Sequence, residues 1–211
     1  MTPRNELRFL LPWPLTRILW NRIHHAGPIK YSPQRLSMRP LETERLLLRE
    51  FVQEDLEGVI RWDAWVEPQD KNEMEAQKFL DFCFREYRKS GIGPWAMLVK
   101  KTAFLVGNCG LPHISFEQGT GEVNYYVARQ YRGQGLATEA LMALLGFGFE
   151  DIGLIRIQGR CTPDNRSSER VMQKAGMKFE RMIRSDAASD AASCKEKLFV
   201  IMRGALKPPA K

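Results

Sequence analysis

The sequence predicts a mixed α/β domain, and three observations carry that prediction. Segments that alternate apolar and polar residues with period two, such as Ile155-Arg156-Ile157-Gln158-Gly159-Arg160-Cys161, read as half-buried strands. Stretches with apolar residues at helical spacing lie between them, among them residues 136–149, where Ala137, Leu141, Leu144 and Gly148 share a stripe. At the junction of a strand and that helix stands Gln130-Tyr131-Arg132-Gly133-Gln134-Gly135-Leu136-Ala137-Thr138-Glu139-Ala140, whose glycines let the chain bend tightly.

The elements follow in order. Residues 46–51 read as a strand, and Glu54-Asp55 lead into a helical stretch to about residue 65. Residues 73–88, with Phe79, Phe82, Cys83 and Tyr87, read as a second helix, broken by Gly91 and Gly93-Pro94. Residues 95–99 and 104–111 read as a hairpin, and Gly119-Thr120-Gly121 turns the chain into a strand over 122–128. After the glycine-bent segment and its helix comes the strand over 155–161, then a short helix over 166–175 ended by Gly176. Strands over 179–183 and 197–202 close the sheet, joined by a small-residue loop over 185–193 that is expected to be mobile. No internal repeat is visible.

Composition excludes more than it selects. With 44% hydrophobic and 27% charged residues the chain is an ordinary globular one, and it has no run long enough to span a bilayer. Cys83, Cys109, Cys161 and Cys194 are widely spaced, with no C-x-x-C pair and no neighbouring His cluster, so neither a zinc site nor a disulfide framework is indicated and a cytoplasmic location is the default. Cys109 and Cys161 alternate with apolar residues and read as small core residues rather than acyl-carrying nucleophiles.

Charge is uneven. Residues 1–40 carry Arg4, Arg8, Arg17, Arg22, Lys30, Arg35 and Arg39 against Glu6, which accounts for most of the formal net charge of +7. The remainder is nearly neutral, so no nucleic-acid partner is implied. Within this extension Leu15, Ile18, Leu19 and Ile23 recur at helical spacing. A basic amphipathic helix on an anionic membrane surface, a segment docked on its own domain or a partner, and a poorly ordered extension without catalytic consequence are the readings left open. Pro12 and Pro14 interrupt the apolar run, which argues against a secretory signal.

The glycine-bent segment has the features of a phosphate cradle: successive N–H groups turned into one concavity, and a following helix that adds the positive end of its dipole. A nucleoside-triphosphate loop would end in Gly-Lys-Ser/Thr where this one has Gly135-Leu136-Ala137, and a dinucleotide fingerprint would need Gly or Ala where Thr138 stands. What remains is Gln/Arg-x-x-Gly-x-Gly/Ala opening a helix. This pattern resembles the pyrophosphate-binding motif of the GNAT superfamily of acyl-coenzyme A dependent N-acetyltransferases. Thr43-Glu44-Arg45-Leu46-Leu47-Leu48-Arg49 resembles the opening strand of the branch that contains the ribosomal-protein-alanine acetyltransferases. Gly107-Asn108-Cys109-Gly110-Leu111 is similar to the family's central hairpin strand, and Asn165-Arg166-Ser167-Ser168 through Lys174-Ala175-Gly176-Met177 to its Asn-x-x-Ser segment and closing Lys-x-Gly-Phe.

The resemblance implies a GNAT-like, mostly antiparallel central sheet flanked by helices and splayed at the cofactor, over residues 41–206, with 1–40 as an extension and 207–211 as a tail. Because Met38-Arg39-Pro40-Leu41 is similar to a natural family start, an over-long gene model for residues 1–37 is a further reading. The implied reaction is direct attack by an amine on the thioester of acetyl-CoA, without a metal. It needs a base, donors for the developing oxyanion and a group to meet the leaving thiolate. By resemblance Glu122 relays the proton and Ser168 serves the thiolate. The backbone N–H of Val127 faces the thioester carbonyl, and Asn165 bonds the pantetheine arm. Arg132 flanks the diphosphate, which the backbone of Gly133, Gln134, Gly135, Leu136, Ala137 and Thr138 holds.

Each residue also has a plain reading: a solvent-facing strand Glu, a solvated Arg, an N-cap Asn, a first-turn Ser. Met172 stands where many relatives place a Tyr donor, so Ser168, a water or Tyr126 inherits that task, or the thiolate leaves unassisted. Trp95, Tyr125 and His113 are candidates for touching the acceptor, with a core or structural role as the alternative. The acceptor is a protein N-terminus or a small amine. A non-catalytic acyl-CoA-binding module tethered by the basic extension is the alternative function.

Overall fold

A computed structural model describes residues 37–62, 69–184 and 195–206. The expectations for the amphipathic extension, the 185–193 loop and the 207–211 tail lie outside the described residues, apart from the extension's last few positions. Those positions already belong to the domain: Met38 N–H donates to the Gly91 carbonyl, and Arg39 pairs with Asp151 at 2.8 Å, both ahead of the expected boundary at 41.

The strands are β1 (Leu41–Glu42), β2 (Leu46–Glu50), β3 (Trp95–Val99), β4 (Leu105–Ser115), β5 (Thr120–Val127), β6 (Arg156–Cys161), β7 (Lys178–Arg184) and β8 (Lys195–Met202). They form one sheet in the order β1-β2-β3-β4-β5-β6-β8-β7. Every pairing is antiparallel except β5 with β6, which are parallel because a helix carries the chain between them. The helices are α1 (Leu56–Ile60), α2 (Gln69–Ser90), α3 (Leu136–Glu150) and α4 (Arg166–Lys174).

Strand alternation sorts the core into two layers. From β3, Trp95 and Met97 join Leu141, Leu144 and Leu145 of α3 and Met172 of α4, whereas Ala96 and Leu98 join Val59 of α1 and Phe79, Leu80 and Cys83 of α2. Gly148 brings α3 close to the sheet, since a Cβ there would lie 2.6 Å from Ile157. The mixed, mostly antiparallel sheet flanked by helices is the expected one.

The differences from the expected elements have physical causes. β4 runs on past residue 111 to Ser115 through Pro112, which lacks an N–H, and the register with β5 shifts between Gly110 and His113 to accommodate it. The alternation of β6 correctly predicts a strand, but its polar side is not solvated: Gln158 and Arg160 are both buried. β7 at the border of the sheet is exposed along almost its whole length.

The pairing of β5 with β6 covers Thr120↔Arg156, Gly121↔Ile157 and Glu122↔Gln158 and ends there, although both strands continue. A wedge therefore opens between residues 123–127 and 159–161. Met172 of α4 seats behind it, where a Cβ on Gly159 would lie 2.8 Å from its sulfur.

Candidate active site

The cradle sits at the open end of the wedge. A 3-10 turn over Arg129–Tyr131 ends β5, and the chain then passes Gly133 at φ +78° and Gly135 at φ +82° before α3 begins. Both glycines occupy the left-handed region, which costs an L-residue about 1–2 kcal/mol. A Cβ on Gly133 would meet nothing within 4 Å, so the segment is open on that side. Glu139 N–H donates to the Gly135 carbonyl as the first turn of α3 closes, which leaves the N–H groups of Gly135, Leu136, Ala137 and Thr138 at the helix mouth without intrahelical partners. These donors, exposed glycines and a helix dipole suit a diphosphate.

The wedge supplies the second half of the site. Ala128 N–H donates to the Val106 carbonyl, so in the antiparallel alternation the N–H and C=O of Val127, opposite Gly107, face away from β4 and toward the gap. The Val127 carbonyl is taken by Arg132 Nε at 2.7 Å. Arg132 thus folds back on β5, with its guanidinium 5.6 Å from the Tyr126 ring centre, and fixes the strand end beside the cradle. Gly107 allows β4 and β5 to approach closely there, because a Cβ would fall 2.0 Å from the Tyr126 carbonyl oxygen.

On the α4 side, Asn165 caps the helix by accepting the Ser168 N–H at 3.0 Å, which is the plain reading of that residue. Ser168 Oγ lies 2.7 Å from the hydroxyl of Tyr125. Burial pushes the Tyr125 phenol up to about 12, against a smaller opposing effect of its bond to Ser168, so it stays neutral over the physiological range. Tyr125 had no assigned role in the sequence beyond a candidate acceptor contact; its period-two position on the Val127 face was the available signal. Tyr126 points to the opposite layer, 5.3 Å from the Trp62 ring, and does not reach Ser168's side of the sheet. Met172 is a buried core residue.

At the apex of the wedge, Glu122 is 3% exposed, not the solvent-facing strand residue of the plain reading. One carboxylate oxygen accepts from Arg160 Nη2 at 2.8 Å and Nε at 3.0 Å, and the other from Gln158 Nε2 at 2.9 Å. Glu196 of β8 stands 3.7 Å from the same guanidinium. The cluster joins β5, β6 and β8 on the α1/α2 face. The Oδ1 of Asn124 and the Oε1 of Gln158 are buried there without a hydrogen-bond partner. Arg160, Gln158 and Glu196 carried no sequence motif; only the alternation of β6 combined with its parallel pairing would have aligned them with Glu122.

Trp95 is a core residue, packed on Phe147 with centroids 5.2 Å apart and donating Nε1 to the Arg39 carbonyl. His113 is half-buried in β4, opposite Glu122 in register. Cys109 and Cys161 are buried thiols raised by desolvation, as expected of core residues. Among the described residues no group of His, Cys, Asp and Glu is arranged to hold a metal, and no helix is long and apolar enough to cross a membrane.

The profile of a family described as Acetyltransferase (GNAT) domain matches residues 45–178. The chain belongs to the GNAT acetyltransferases. Its GNAT relatives include the uncharacterized N-acetyltransferase p20 of Bacillus licheniformis, 28% identical over 156 residues, which span 70% of this chain and 86% of that one. A GNAT acetyltransferase from Bacillus anthracis superposes with a TM-score of 0.63 at 25% identity, covering 79% of this chain and 99% of that one. The ribosomal-protein-S5-alanine acetyltransferase of Vibrio fischeri superposes with a TM-score of 0.65 at 16% identity, covering 81% and 100%. This GNAT protein is an acetyl-CoA-dependent acetyltransferase, and the non-catalytic binding module gives way to that reading.

Proposed function

We propose that the enzyme transfers the acetyl group of acetyl-CoA to a primary amine, a protein N-terminus or a small molecule, by direct attack in a ternary complex. The observation that carries this reading is the wedge that opens beyond Glu122 and Gln158 with the glycine cradle at its mouth. In it the diphosphate takes the N–H groups of Gly133 through Thr138, and Arg132, an exposed residue, fixes the adjoining strand end through the Val127 carbonyl. The pantetheine arm lies along β5 with Asn165 at its flank, and the Val127 N–H meets the thioester carbonyl oxygen as negative charge develops there.

The amine nitrogen bonds to the carbonyl carbon as the carbon–sulfur bond breaks, and the ammonium proton passes through water to Glu122. Arg160 and Gln158 hold that carboxylate in one orientation. The departing thiolate receives a hydrogen bond from the Ser168 hydroxyl, whose oxygen in turn accepts the Tyr125 O–H 2.7 Å away. A phenol near 12 does not surrender its proton to a thiolate whose acid is near about 8.5, so these hydroxyls stabilise the sulfur and solvent supplies the proton. The unpartnered oxygens of Asn124 and Gln158, with the Glu122 and Glu196 carboxylates, make an acceptor-rich apex suited to a donor-bearing cationic amine. The catalytic unit is taken as residues 41–206 together with Met38 and Arg39, which are bonded to it, with the rest of the basic extension outside the chemistry.

Titration calorimetry with acetyl-CoA, followed by thiol release over a panel of amines and N-terminal peptides, tests the proposal. Binding heat and acceptor-dependent thiol release are expected. No heat at millimolar excess of acetyl-CoA overturns it.

A further inference from the structure

Two sequence segments read separately, Thr43 to Arg49 and Gln130 to Ala140, meet in the structure. Glu139, in the first turn of α3, accepts hydrogen bonds from the Thr43 hydroxyl, from the Arg45 N–H at 2.7 Å and from Arg45 Nε at 2.7 Å. Arg45 Nη2 closes the ion pair with the same carboxylate at 2.6 Å. Arg45 Nη1 reaches further and donates to the carbonyl of Gln134, between the two cradle glycines, at 2.8 Å. The guanidinium lies against the cradle itself: a Cβ on Gly135 would be 3.4 Å from Nη2.

Two physical consequences follow. In a trans peptide the carbonyl and the next N–H point in opposite directions, so drawing the Gln134 oxygen toward Arg45 turns the Gly135 N–H away from Arg45, toward the concavity. A carboxylate in the first helical turn also competes with an anionic ligand for the positive end of the dipole. Glu139 is held ionised, its carboxyl lowered by Thr43 and Arg45 against an opposing desolvation, so without a counter-charge it would repel a diphosphate. We propose that Arg45 is a positioning residue for the diphosphate cradle, aiming the Gly135 amide and cancelling the charge of Glu139. This rests on the acetyl-CoA reading of the cradle.

The test is a double-mutant cycle in calorimetry with CoA, with S-acetylpantetheine, which lacks the diphosphate, as the control. With Glu139 left unpaired beside the diphosphate, R45M weakens CoA by about tenfold at low salt, and less at high salt. S-acetylpantetheine binding is unchanged. R45K keeps the charge but not the forked reach to both Glu139 and Gln134, so it binds CoA more tightly than R45M and more weakly than the unmodified chain, whereas E139Q binds CoA at least as well, since the repelling charge is gone. R45M/E139Q recovers the share of the loss that the Glu139 charge causes, and what remains measures the lost contact to the Gln134 carbonyl. A purely scaffolding contact would instead make E139Q and the double variant as weak as R45M, which overturns the proposal, as does R45M binding CoA within about twofold of the unmodified chain. Should R45M fail to fold, R45K and E139Q carry the same decision. Absence of CoA heat with the unmodified chain overturns the acetyl-CoA site itself, and is thereby distinct from a failure confined to the variants.

Discussion

Replacing Glu122 by Gln removes one negative charge from the apex of the wedge and little else. The new amide oxygen can still accept from Arg160. Its nitrogen would face Gln158 Nε2, but the Oε1 of Gln158 has no partner, and turning that amide over presents an acceptor in its place. Arg160 keeps Glu196 at 3.7 Å, so the guanidinium is not left without a counter-charge. Deleting one partner of a buried ion pair outright costs about 3–5 kcal/mol; with hydrogen bonds conserved and a second carboxylate in place, about 1–3 kcal/mol is expected. That corresponds to a Tm lower by about 2–12 °C. If Glu122 takes the ammonium proton, kcat falls by about 10²–10⁴-fold while the affinity for acetyl-CoA is unchanged. Thermal unfolding, calorimetry and thiol release at saturating acetyl-CoA read the three quantities separately. A folded E122Q enzyme with kcat within about threefold of the unmodified one would refute the argument and leave Glu122 as a structural ion-pair member.

The other predictions concern the cradle, the thiolate partner and the strand pair. Gly133→Ala and Gly135→Ala each impose a side chain on a left-handed residue, and calorimetry should show CoA affinity reduced by about 5–30-fold, the equivalent of about 1–2 kcal/mol. Unchanged affinity in both would remove the cradle from the diphosphate. Tyr125→Phe deletes the 2.7 Å contact to Ser168 and should lower kcat by about tenfold in the thiol-release assay, at a stability cost of about 1 kcal/mol. The same variant tests a pH dependence. The native phenol, raised to about 12, holds its proton where the unfolded one, near about 10, has lost it. Its contribution to stability is therefore complete below pH about 10 and is lost as pH rises toward about 12, so denaturant titrations of Tyr125→Phe should show a shallower alkaline decline, by up to about 1.4 kcal/mol per pH unit. Gly107→Ala, with its Cβ 2.0 Å from the Tyr126 carbonyl oxygen, should lower stability by about 3 kcal/mol in the same titrations, since β4 and β5 must part.

Most of the fold was legible because period and punctuation are local properties. β3, predicted over Trp95–Val99, matches in full, and Gly176 ends α4 at φ +88° as a helix-terminating glycine does. The extension of β4 through Pro112 was not legible, because proline argues against a strand unless a bulge admits it, and a bulge is decided by the partner strand. The two-residue β1 carries too few positions to show any period.

For the site, the cradle was readable from its glycines because their left-handed backbone is a requirement of the segment alone. The polar residues of β6 were the opposite case: alternation identified their face but not what covers it. Whether Arg160 meets water or Glu122 depends on a strand 38 residues away in sequence. The pairing of Tyr125 with Ser168, across 43 residues, is hidden for the same reason. Arg45 and Glu139 each sat in a recognisable segment, and only the tertiary fold brings the two together.

Among the described residues the sheet has two borders, β1 and β7, and they are defended differently. On one side β1 is a stub of two residues, too short to template another chain. On the other, β7 presents Phe179 and Met182 to solvent, a surface on which foreign strands could nucleate, yet Lys178, Arg181 and Arg184 along the same ribbon make any identical incoming strand electrostatically unwelcome. That deterrent is Coulombic and works over about a Debye length. Self-association along this margin should therefore emerge as ionic strength climbs, which makes dilute-salt buffers the natural choice for handling the enzyme at high concentration.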